Sequence, residues 1–511
     1  MRTFSQIFSL SGRFSCCIFV FSILLLSYGS VIAETNVKSA STSVPVALTW
    51  LLDDTNVEDI NSIYRAQDRL MVPVTGAFTL GYKDWQSMIL KKLTEDLNKT
   101  VTLGEIREGY SSDKMIVEDA LLDPRKSGTN DRRIFPTKTM ATNKPSAQKI
   151  IGQNSLQQLQ FSSLISYVVK ILYTSVSTQT RPLTDQEKDY IKAAFPFLMQ
   201  SIVKAYWLEV EALDYVSPYR NMKERVLARL DWKNHPEYKR KSYYKAFQDV
   251  DFFVFAIASD LLSAKYLSEK SSTPIPLSAE DKKLLIDIRD MTLRVIQQRL
   301  EPNDGFYFQV GLWADHPDYV YAACSVEKLP DKECRKVDLV DDSAHFRRWP
   351  WWLQSYKDAW PVKTEQHKYY QSLLVRLAKQ FVTKVAVIQD GGLVLLTNYM
   401  DGSNGWYRVN YENSKGGSGP YRLSETALMG SWYSLGPYDY RIKKLNSLFC
   451  KMVSNKKKGN PPFGIKYEGK NASKNAWFLS NDSIELIDYY GLVCRMAKEL
   501  GWTENYLRES N

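Results

Sequence analysis

Histidine is scarce in this sequence, with four residues in 511, and no HExxH motif occurs. So few imidazoles argue against a histidine-based metal centre. The chain also lacks GxGxxG, GxxxxGK[ST] and GxSxG motifs, which are the usual signatures of dinucleotide binding, phosphate loops and serine hydrolases. Sustained alternation of apolar and polar residues is missing too, apart from a short strand pairing expected at 393–396. A strand-rich architecture is therefore not expected.

The charge excess is small, because 67 Lys and Arg against 57 Asp and Glu give a net charge of +10. This balance suits an anionic partner but does not require one. Hydrophobic residues make up 44% of the chain and aromatic residues 13%, which excludes a collagen-like, coiled-coil or disordered protein. The mean hydropathy is negative, which excludes a polytopic membrane protein.

The N-terminus has the three parts of a secretory signal peptide. Arg2 and Arg13 precede an apolar run over 18–26, and small or β-branched residues stand before Glu34. We therefore predict a signal peptide over 1–33 and a mature protein that is secreted or periplasmic. A single membrane anchor is the alternative, because the apolar N-terminal stretch is close to the minimum length of a span. No later segment is expected to be long and apolar enough to span a membrane, so no stable anchor is predicted after cleavage.

Six cysteines are present, and two of them belong to the predicted signal peptide. The other four are an even set in an exported chain, which predicts two disulfides. Cys324 and Cys334 flank a short polar loop, so they are expected to pair, and Cys450 with Cys494 would then join two C-terminal helices. A four-cysteine zinc site is not supported because no CxxC spacing occurs, and no metal is predicted.

Apolar residues recur every three or four positions from Ser155 onward, which is typical of helices. A capping box is predicted at Thr184 and Glu187, and Pro196 is expected to break or kink the helix that follows. Further helices are predicted over 84–97 and 238–267, and from near Ser278, Thr364, Ser424 and Ser483. The fold class is therefore mainly α. We divide the mature chain into an N-terminal segment with helices and long polar loops, 34–150, and a helical domain, 151–511.

Three aromatic and polar segments interrupt the helical pattern: 304–324, 341–360 and 401–436. Together they contain seven of the 13 tryptophans and two of the four histidines. Aromatic faces stack on the C–H faces of sugar rings, and polar groups between them bind hydroxyls or carboxylates. The alternative is that these rings only pack the loops against the helices.

Helical hairpins in series, Asp-Gly loops and the run Asp342-Ser343-Ala344-His345, with Arg348-Trp349 after it, resemble the (α/α) toroid or six-hairpin glycosidase superfamily. The resemblance covers about 155–500. It implies an (α/α) toroid of antiparallel hairpins with long aromatic-rich loops. The superfamily contains glycoside hydrolases and polysaccharide lyases whose clefts lie on one rim of the ring. The resemblance therefore implies a secreted carbohydrate-active enzyme that degrades a polysaccharide or oligosaccharide.

A lyase that acts by β-elimination on an acidic glycan is slightly favoured by the positive net charge. Such an enzyme neutralises a uronate carboxylate, removes the C5 proton and protonates the leaving oxygen. His345 and Tyr407 are the candidates for proton transfer, and Arg348 and Asn410 are candidates for binding the carboxylate. Arg347 is ranked below Arg348, because only Arg348 would share a helix face with His345.

A glycoside hydrolase is the first alternative, and it would use a pair of Asp or Glu residues. The available carboxylates are those of Asp315, Asp318, Asp341, Asp342, Asp401 and Glu412, and the sequence does not say which two face each other. Asp342 and Asp401 are preferred. Aromatic candidates for substrate binding are Trp313, Trp349, Trp352 and Trp406. We expect one cleft to contain His345, Arg348, Trp352, Tyr407, Asn410 and either Asp342 or Asp401.

A non-catalytic protein is the second alternative, since the same fold and rim would serve glycan binding or an envelope or host-interaction role. The basic runs 239–241 and 456–458 are interpreted as solvated faces. No nucleic-acid partner and no cofactor are therefore predicted.

Overall fold

A computed structural model describes the chain over 44–105, 129–139, 150–151, 155–179, 181–212, 215–216, 218–326, 328–410, 417–457 and 484–504. The predicted signal peptide, 1–33, lies outside the described residues, as does most of the polar region between 106 and 149. The described residues belong to one compact unit that starts at Ser43.

The protein is mainly α-helical, which confirms the fold class at that level. Thirteen α-helices in the described residues are used below: α1 (Val46–Asp54), α2 (Ile60–Leu80), α3 (Lys83–Asn98), α4 (Ser155–Gln179), α5 (Asp185–Pro196), α6 (Met222–Leu230), α7 (Asp249–Ser268), α8 (Ala279–Arg299), α9 (Ser343–Phe346), α10 (Trp349–Asp358), α11 (Glu365–Gln380), α12 (Tyr440–Lys457) and α13 (Ile484–Glu499).

Irregular helices connect several of these elements. The capping box at Thr184 and Glu187 is present at the start of α5, and Pro196 ends that helix. The chain continues there as the π-helical segment Phe197–Glu209, because the prolyl ring removes one backbone hydrogen bond of the α-helical ladder. Four 3-10 helices lie near the loops discussed below: Ser242–Lys245, Pro317–Tyr319, Arg422–Met429 and Ser431–Leu435.

Strands are short and pair two by two in antiparallel fashion in the described residues. The pairs are β1 (Val101–Thr102) with β2 (Arg133–Ile134), β3 (Lys138–Thr139) with β4 (Ile150–Ile151) and β5 (Ala386–Ile388) with β6 (Val394–Leu396). The third pair confirms the brief pairing predicted at 393–396.

Successive helices pack as pairs along the chain: α2 with α3, α4 with α5, α7 with α8, α10 with α11 and α12 with α13. The first helices of these pairs also pack on one another in turn, since α2 contacts α4, α4 contacts α7 and α7 contacts α10. Helix α13 packs against both α1 and α2. The last helix of the described residues therefore lies against the first two.

The helices α4 and α7 form the centre of the core. Helix α7 is buried on all sides over its centre, because every residue from Asp251 to Ala264 is buried. Helix α4 corrects one expectation, since Ser155–Thr178 is long and apolar enough to cross a membrane. Within the molecule, 94% of its most apolar window is buried, as in the core helix of a globular domain.

Both predicted disulfides are present, Cys324–Cys334 and Cys450–Cys494. The first closes a loop that follows the first aromatic segment, and the second joins α12 to α13. Disulfides favour an oxidising compartment outside the cytoplasm.

Some helices differ from the predictions. No helix is predicted before Asp84, but α2 occupies 60–80 and buries Gln67, Asp68 and Thr75 alongside its apolar residues. These buried polar side chains interrupt the apolar periodicity from which helices are predicted. The helix predicted over 238–267 begins only at Asp249, and the helix predicted near Ser424 is a 3-10 helix.

Candidate active site

The N-terminus of α9 brings Asp342 and His345 together. Asp342 is the N-cap residue, and its Oδ1 accepts the backbone N–H groups of Ala344 and His345, both at 2.9 Å. Its second oxygen, Oδ2, lies 2.5 Å from Nδ1 of His345. Because Asp342 is fully buried and fixed as the cap, it also fixes the orientation of the imidazole ring.

A second acid, Asp341, stands beside this pair. The hydroxyl of Tyr319 lies 2.6 Å from Oδ1 of Asp341 and 2.9 Å from Oδ2 of Asp342. The backbone N–H of Asp342 donates to the same Oδ1 of Asp341 at 2.8 Å. A hydroxyl donates one proton, so both short contacts of Tyr319 are satisfied when one carboxyl group is protonated.

The electrostatics separate the protonation states of these groups. Burial lowers the pKa of His345, but the carboxylates of Asp342 and Asp249 outweigh it and raise the pKa to about 9. Burial and the negative charge of Asp342 raise the pKa of Asp341 to about 7. Burial also acts to raise the pKa of Asp342, but His345 and Arg408 hold that pKa well below its usual range. At neutral pH the His345 imidazole is protonated, Asp342 is ionised, and Asp341 is protonated in part of the molecules.

Tyr407 and Arg408 reach His345 from the third aromatic segment. The hydroxyl of Tyr407 lies 3.5 Å from Nδ1, and Nη2 of Arg408 lies 3.4 Å from Nε2. Arg408 has a φ of +55°, which is a left-handed conformation and not an extended one. The two neighbouring side chains therefore contact the same imidazole instead of pointing to opposite sides.

A close backbone approach seats this third segment. The N–H of Gly405 donates to the carbonyl of Ala322 at 3.1 Å, and a Cβ at position 405 would collide with that carbonyl oxygen. Only glycine fits there without a shift of the backbone. The backbone N–H of Arg408 then donates to the carbonyl of Asp318 at 2.9 Å.

Arg348 connects the N-terminal ends of several helices. Its guanidinium pairs with Asp249, the first residue of α7, and donates to the Tyr64 hydroxyl of α2 at 2.9 Å and to Oε1 of Gln160 in α4 at 3.1 Å. Tyr64 and Gln160 lie in the first two turns of their helices, and Arg348 itself precedes α10. The helices α2, α4, α7 and α10 therefore start at the same end of the molecule, where their dipoles are positive.

A cavity of about 470 Å³ opens at this end. Its lining includes the titratable side chains His345, Arg408, Asp249, Asp341, Asp318, His316 and Tyr319. It also includes Trp313 and Trp349 and the start of α7. The His345 side chain is 25% exposed, so a bound molecule can reach the imidazole.

The predicted aromatic residues divide into two groups. Trp313 and Trp349 line the cavity. Trp352 does not, because it lies in the core, with its ring centroid 5.2 Å from that of Phe252. Trp406 is also buried and donates from Nε1 to the carbonyl of Val326 at 2.9 Å. Trp352 and Trp406 are therefore held by packing, as the alternative interpretation of these rings expects.

The remaining predicted residues lie away from the cavity lining. Asp401 closes its own loop, accepting the Ser403 N–H at 2.7 Å and the Val340 N–H at 3.2 Å. Asn410 is exposed. Arg348 is buried in the ion pair with Asp249. Of the predicted cluster, the structure brings together His345, Asp342 and Tyr407.

Sequence reasoning missed Asp249, Tyr319 and Arg408 and assigned no role to His316, whereas Asp318 and Asp341 were among the carboxylates left open for a hydrolase. Tyr319 and Arg408 stand within the three aromatic segments, and Arg408 directly follows the predicted Tyr407. Asp249 carried no such signal, since it belongs to the predicted helix 238–267. It reaches His345 only because α7 begins beside α9, with its Oδ2 at 4.0 Å from Nε2.

Asp341, Asp342 and His345 also satisfy the spacing of a metal site, since one ligand atom from each lies within 4.8 Å of the others. The 2.5 Å contact between Asp342 and His345 is a hydrogen-bond distance, and the Tyr319 hydroxyl takes up further acceptor capacity. These contacts explain the cluster as a hydrogen-bonded network.

Comparison of the chain with protein-family models, with curated proteins and with solved structures finds no match.

Proposed function

We propose that the helices form an (α/α) toroid in which α2, α4, α7, α10 and α13 are the inner helices. The order of contacts supports this arrangement, because α2 packs on α4, α4 on α7 and α7 on α10, and α13 returns to α2. Between α10 and α2 the 3-10 helix Ser431–Leu435 contacts both helices. Each inner helix also packs against a neighbour in sequence, which would form the outer layer. The cavity then lies on the rim where the inner helices begin.

We infer that the protein is an exported lyase that cleaves an acidic polysaccharide by β-elimination in this cavity. The observation that carries the proposal is His345, whose Nδ1 is held by Asp342 and whose Nε2 lies beside Arg408 and Asp249 in the cavity lining. The cation of Arg408 and the positive helix ends favour an anionic sugar. Two disulfides fit an exported protein.

The proposed chemistry uses three side chains. Arg408 binds the uronate carboxylate and so stabilises the negative charge that develops at C5. The neutral form of His345 takes the C5 proton on Nε2, the C4–O bond breaks and a C4–C5 double bond forms. Asp341, which carries a proton on a fraction of molecules near pH 7, donates it to the leaving oxygen. Tyr407 is buried beside Nδ1 and acts as a positioning residue for the imidazole.

Hydrolysis is the second candidate, and Asp341 favours it. A carboxyl group with a pKa near 7 in a cavity suits the general acid of a glycosidase. Asp249 and Asp318 line the same cavity, where they pair with Arg348 and Arg408, and one of them would serve as the second carboxylate. In this reaction His345 would serve as an electrostatic group and not as a base.

The test is to incubate the mature protein with polygalacturonate, alginate and hyaluronan, and with neutral glucans. Elimination produces an unsaturated uronate that absorbs in the ultraviolet, whereas hydrolysis produces reducing ends without that absorbance. We expect absorbance with at least one acidic polymer and a loss of at least ~100-fold in His345→Ala. Reducing ends alone would establish the hydrolase, and binding without either product would establish a non-catalytic protein.

A further inference from the structure

A continuous series of rings leads to the surface from Tyr319, whose hydroxyl contacts Asp341 and Asp342. The ring of Tyr319 lies 5.6 Å from that of His316, His316 lies 4.7 Å from Tyr243, and Tyr243 lies 4.9 Å from Tyr215, between centroids. Tyr215 and His316 belong to the cavity lining. Tyr215 is 43% exposed, which is unusual for a large ring that contacts three aromatic neighbours.

At the outer end of this series, Tyr215 and Tyr244 form an aromatic platform. Tyr215 stacks on Tyr244 with 17° between the ring planes and 6.2 Å between the centroids. The segment that carries Tyr243 and Tyr244 is fixed by Asp315, whose carboxylate accepts the Ser242 N–H at 2.9 Å and the Tyr243 N–H at 3.3 Å. Asp315 thus holds the platform against the first aromatic segment, which also contributes residues to the cavity lining.

Three exposed cations directly precede this platform in the chain: Lys239, Arg240 and Lys241. Lys241 is adjacent to Ser242, which Asp315 anchors at the rim. A basic run is in general only a solvated face, but here it adjoins the half-buried rings of Tyr243 and Tyr244, which contact the exposed ring of Tyr215 at the cavity. Cations next to stacked rings match a chain of acidic sugars, which presents carboxylates and C–H faces in turn.

We propose that the substrate is a long polyanionic glycan that leaves the cavity over Tyr215 and Tyr244 and binds Lys239, Arg240 and Lys241 with its acidic groups. This inference rests on the proposed function for the choice of a glycan. The cavity of about 470 Å³ is of the size that holds one small ligand. A polymer bound there continues outside it, and the platform provides the path.

The test measures equilibrium binding of the mature protein to polygalacturonate, alginate and hyaluronan at two salt concentrations. Dextran is the neutral control, and single-stranded DNA is the alternative polyanion. The variants are Tyr215→Ala with Tyr244→Ala, and Lys239→Ser with Arg240→Ser and Lys241→Ser. The matched control removes the same charge from three exposed lysines: Lys91 of α3, Lys99 directly after that helix, and Lys188 of α5.

We expect tighter binding to an acidic glycan than to dextran. The basic triple variant should lose about tenfold in affinity and show a weaker salt dependence. The aromatic double variant should lose about fivefold with its salt dependence unchanged. The control triple should stay within about twofold of the unmodified protein.

Equal losses in the basic triple and in the control triple would overturn the inference, as would tighter binding to DNA than to every acidic glycan, or binding to none of the glycans. Glycan binding and product formation are measured separately, so failure of the proposed binding path can be distinguished from failure of the proposed reaction. If the triple variant loses glycan binding while no product forms under any condition, the docking path stands and the proposed reaction is wrong.

Discussion

Oδ2 of Asp342 lies 2.5 Å from Nδ1 of His345, and this contact determines the charge of the candidate site. The carboxylate is buried and capped, so it stays ionised and holds the imidazolium beside it. Asp341 lies in the same buried environment but responds in the opposite way: burial and the negative charge of Asp342 favour its protonated form. Two titrations near neutrality, with pKa values of about 7 and about 9, therefore occur in one cavity.

The first prediction concerns the pH dependence of turnover. If Asp341 and His345 are the acid and the base, kcat/KM should be bell-shaped with a maximum near pH 8 and limbs near 7 and 9. Asp342→Asn removes the largest charge that raises the pKa of His345, so the alkaline limb should move to lower pH. The measurement is kcat/KM from pH 5 to 10 on the best acidic polymer. An alkaline limb unchanged by Asp342→Asn would contradict the assignment of that limb to His345.

The second prediction concerns stability. The pKa of Asp341 is raised to about 7 in the folded protein, so its ionisation costs stability as the pH rises from the ordinary aspartate range through 7. Asp341→Asn mimics the neutral form and keeps an acceptor for Tyr319. Its melting temperature should exceed that of the unmodified protein by ~2 °C or more at pH 8, with a smaller difference at pH 5. A larger gain at pH 5 would mean that the pKa is not raised.

The third prediction is that Arg348 stabilises the fold. Arg348→Met leaves the carboxylate of Asp249 without its buried partner and removes the donors to Tyr64 and Gln160, so it should cost about 3–5 kcal/mol. Urea unfolding measures this. Arg335→Met is the matched control, because Arg335 pairs with Glu333 at the exposed surface, and it should change stability by less than about 1 kcal/mol. Equal effects of the two changes would contradict a structural role for Arg348.

How far the sequence predicted the site can be read from the third aromatic segment. Tyr407 was expected beside His345, 62 positions away in the chain, and its hydroxyl lies 3.5 Å from the ring. Arg348 and Asn410 were the groups expected to bind a carboxylate beside His345, but the side chain that lies there is Arg408. In an extended loop the side chains of Tyr407 and Arg408 would point to opposite sides. Arg408 instead has a positive φ, which sequence rules expect for Gly, Asn or Asp and not for Arg.

Local patterns predicted the fold better where apolar residues recur at helical spacing along most of the segment. Helices α4 and α7 and the cap at Thr184 follow from spacing and capping chemistry. Helix α2 did not, because it buries Asp68 against Arg347 of another segment. From the sequence alone, a charged residue such as Asp68 is expected to be exposed. When a distant partner buries it, the helix no longer shows the apolar periodicity from which it would be predicted.

The fourth prediction compares the two disulfides. Cys324–Cys334 closes a loop with a sequence separation of 10 and Cys450–Cys494 one of 44. Chain entropy predicts losses of about 3 and about 4 kcal/mol on removal, so the double serine variant at Cys450 and Cys494 should be the less stable. Urea unfolding under non-reducing conditions tests this order. Peptide mapping without reductant should recover both pairs, and a crossed pairing would contradict the structure.

The last prediction separates Tyr407 from His345. The hydroxyl of Tyr407 faces Nδ1, which Asp342 already occupies at 2.5 Å, and burial raises the pKa of Tyr407 well above its usual value. A neutral phenol behind the ring can orient the imidazole but does not face the bound sugar. Tyr407→Phe should therefore lower kcat by less than about tenfold, against at least ~100-fold for His345→Ala.

The pH profile decides between positioning and proton transfer. Tyr407→Phe should retain the limb near pH 9, because His345 still titrates, whereas His345→Ala should lose it. Circular dichroism confirms that both variants are folded. If Tyr407→Phe is folded and loses as much activity as His345→Ala, the phenol itself transfers a proton, and the sugar must then enter behind the imidazole and not from the side of Arg408.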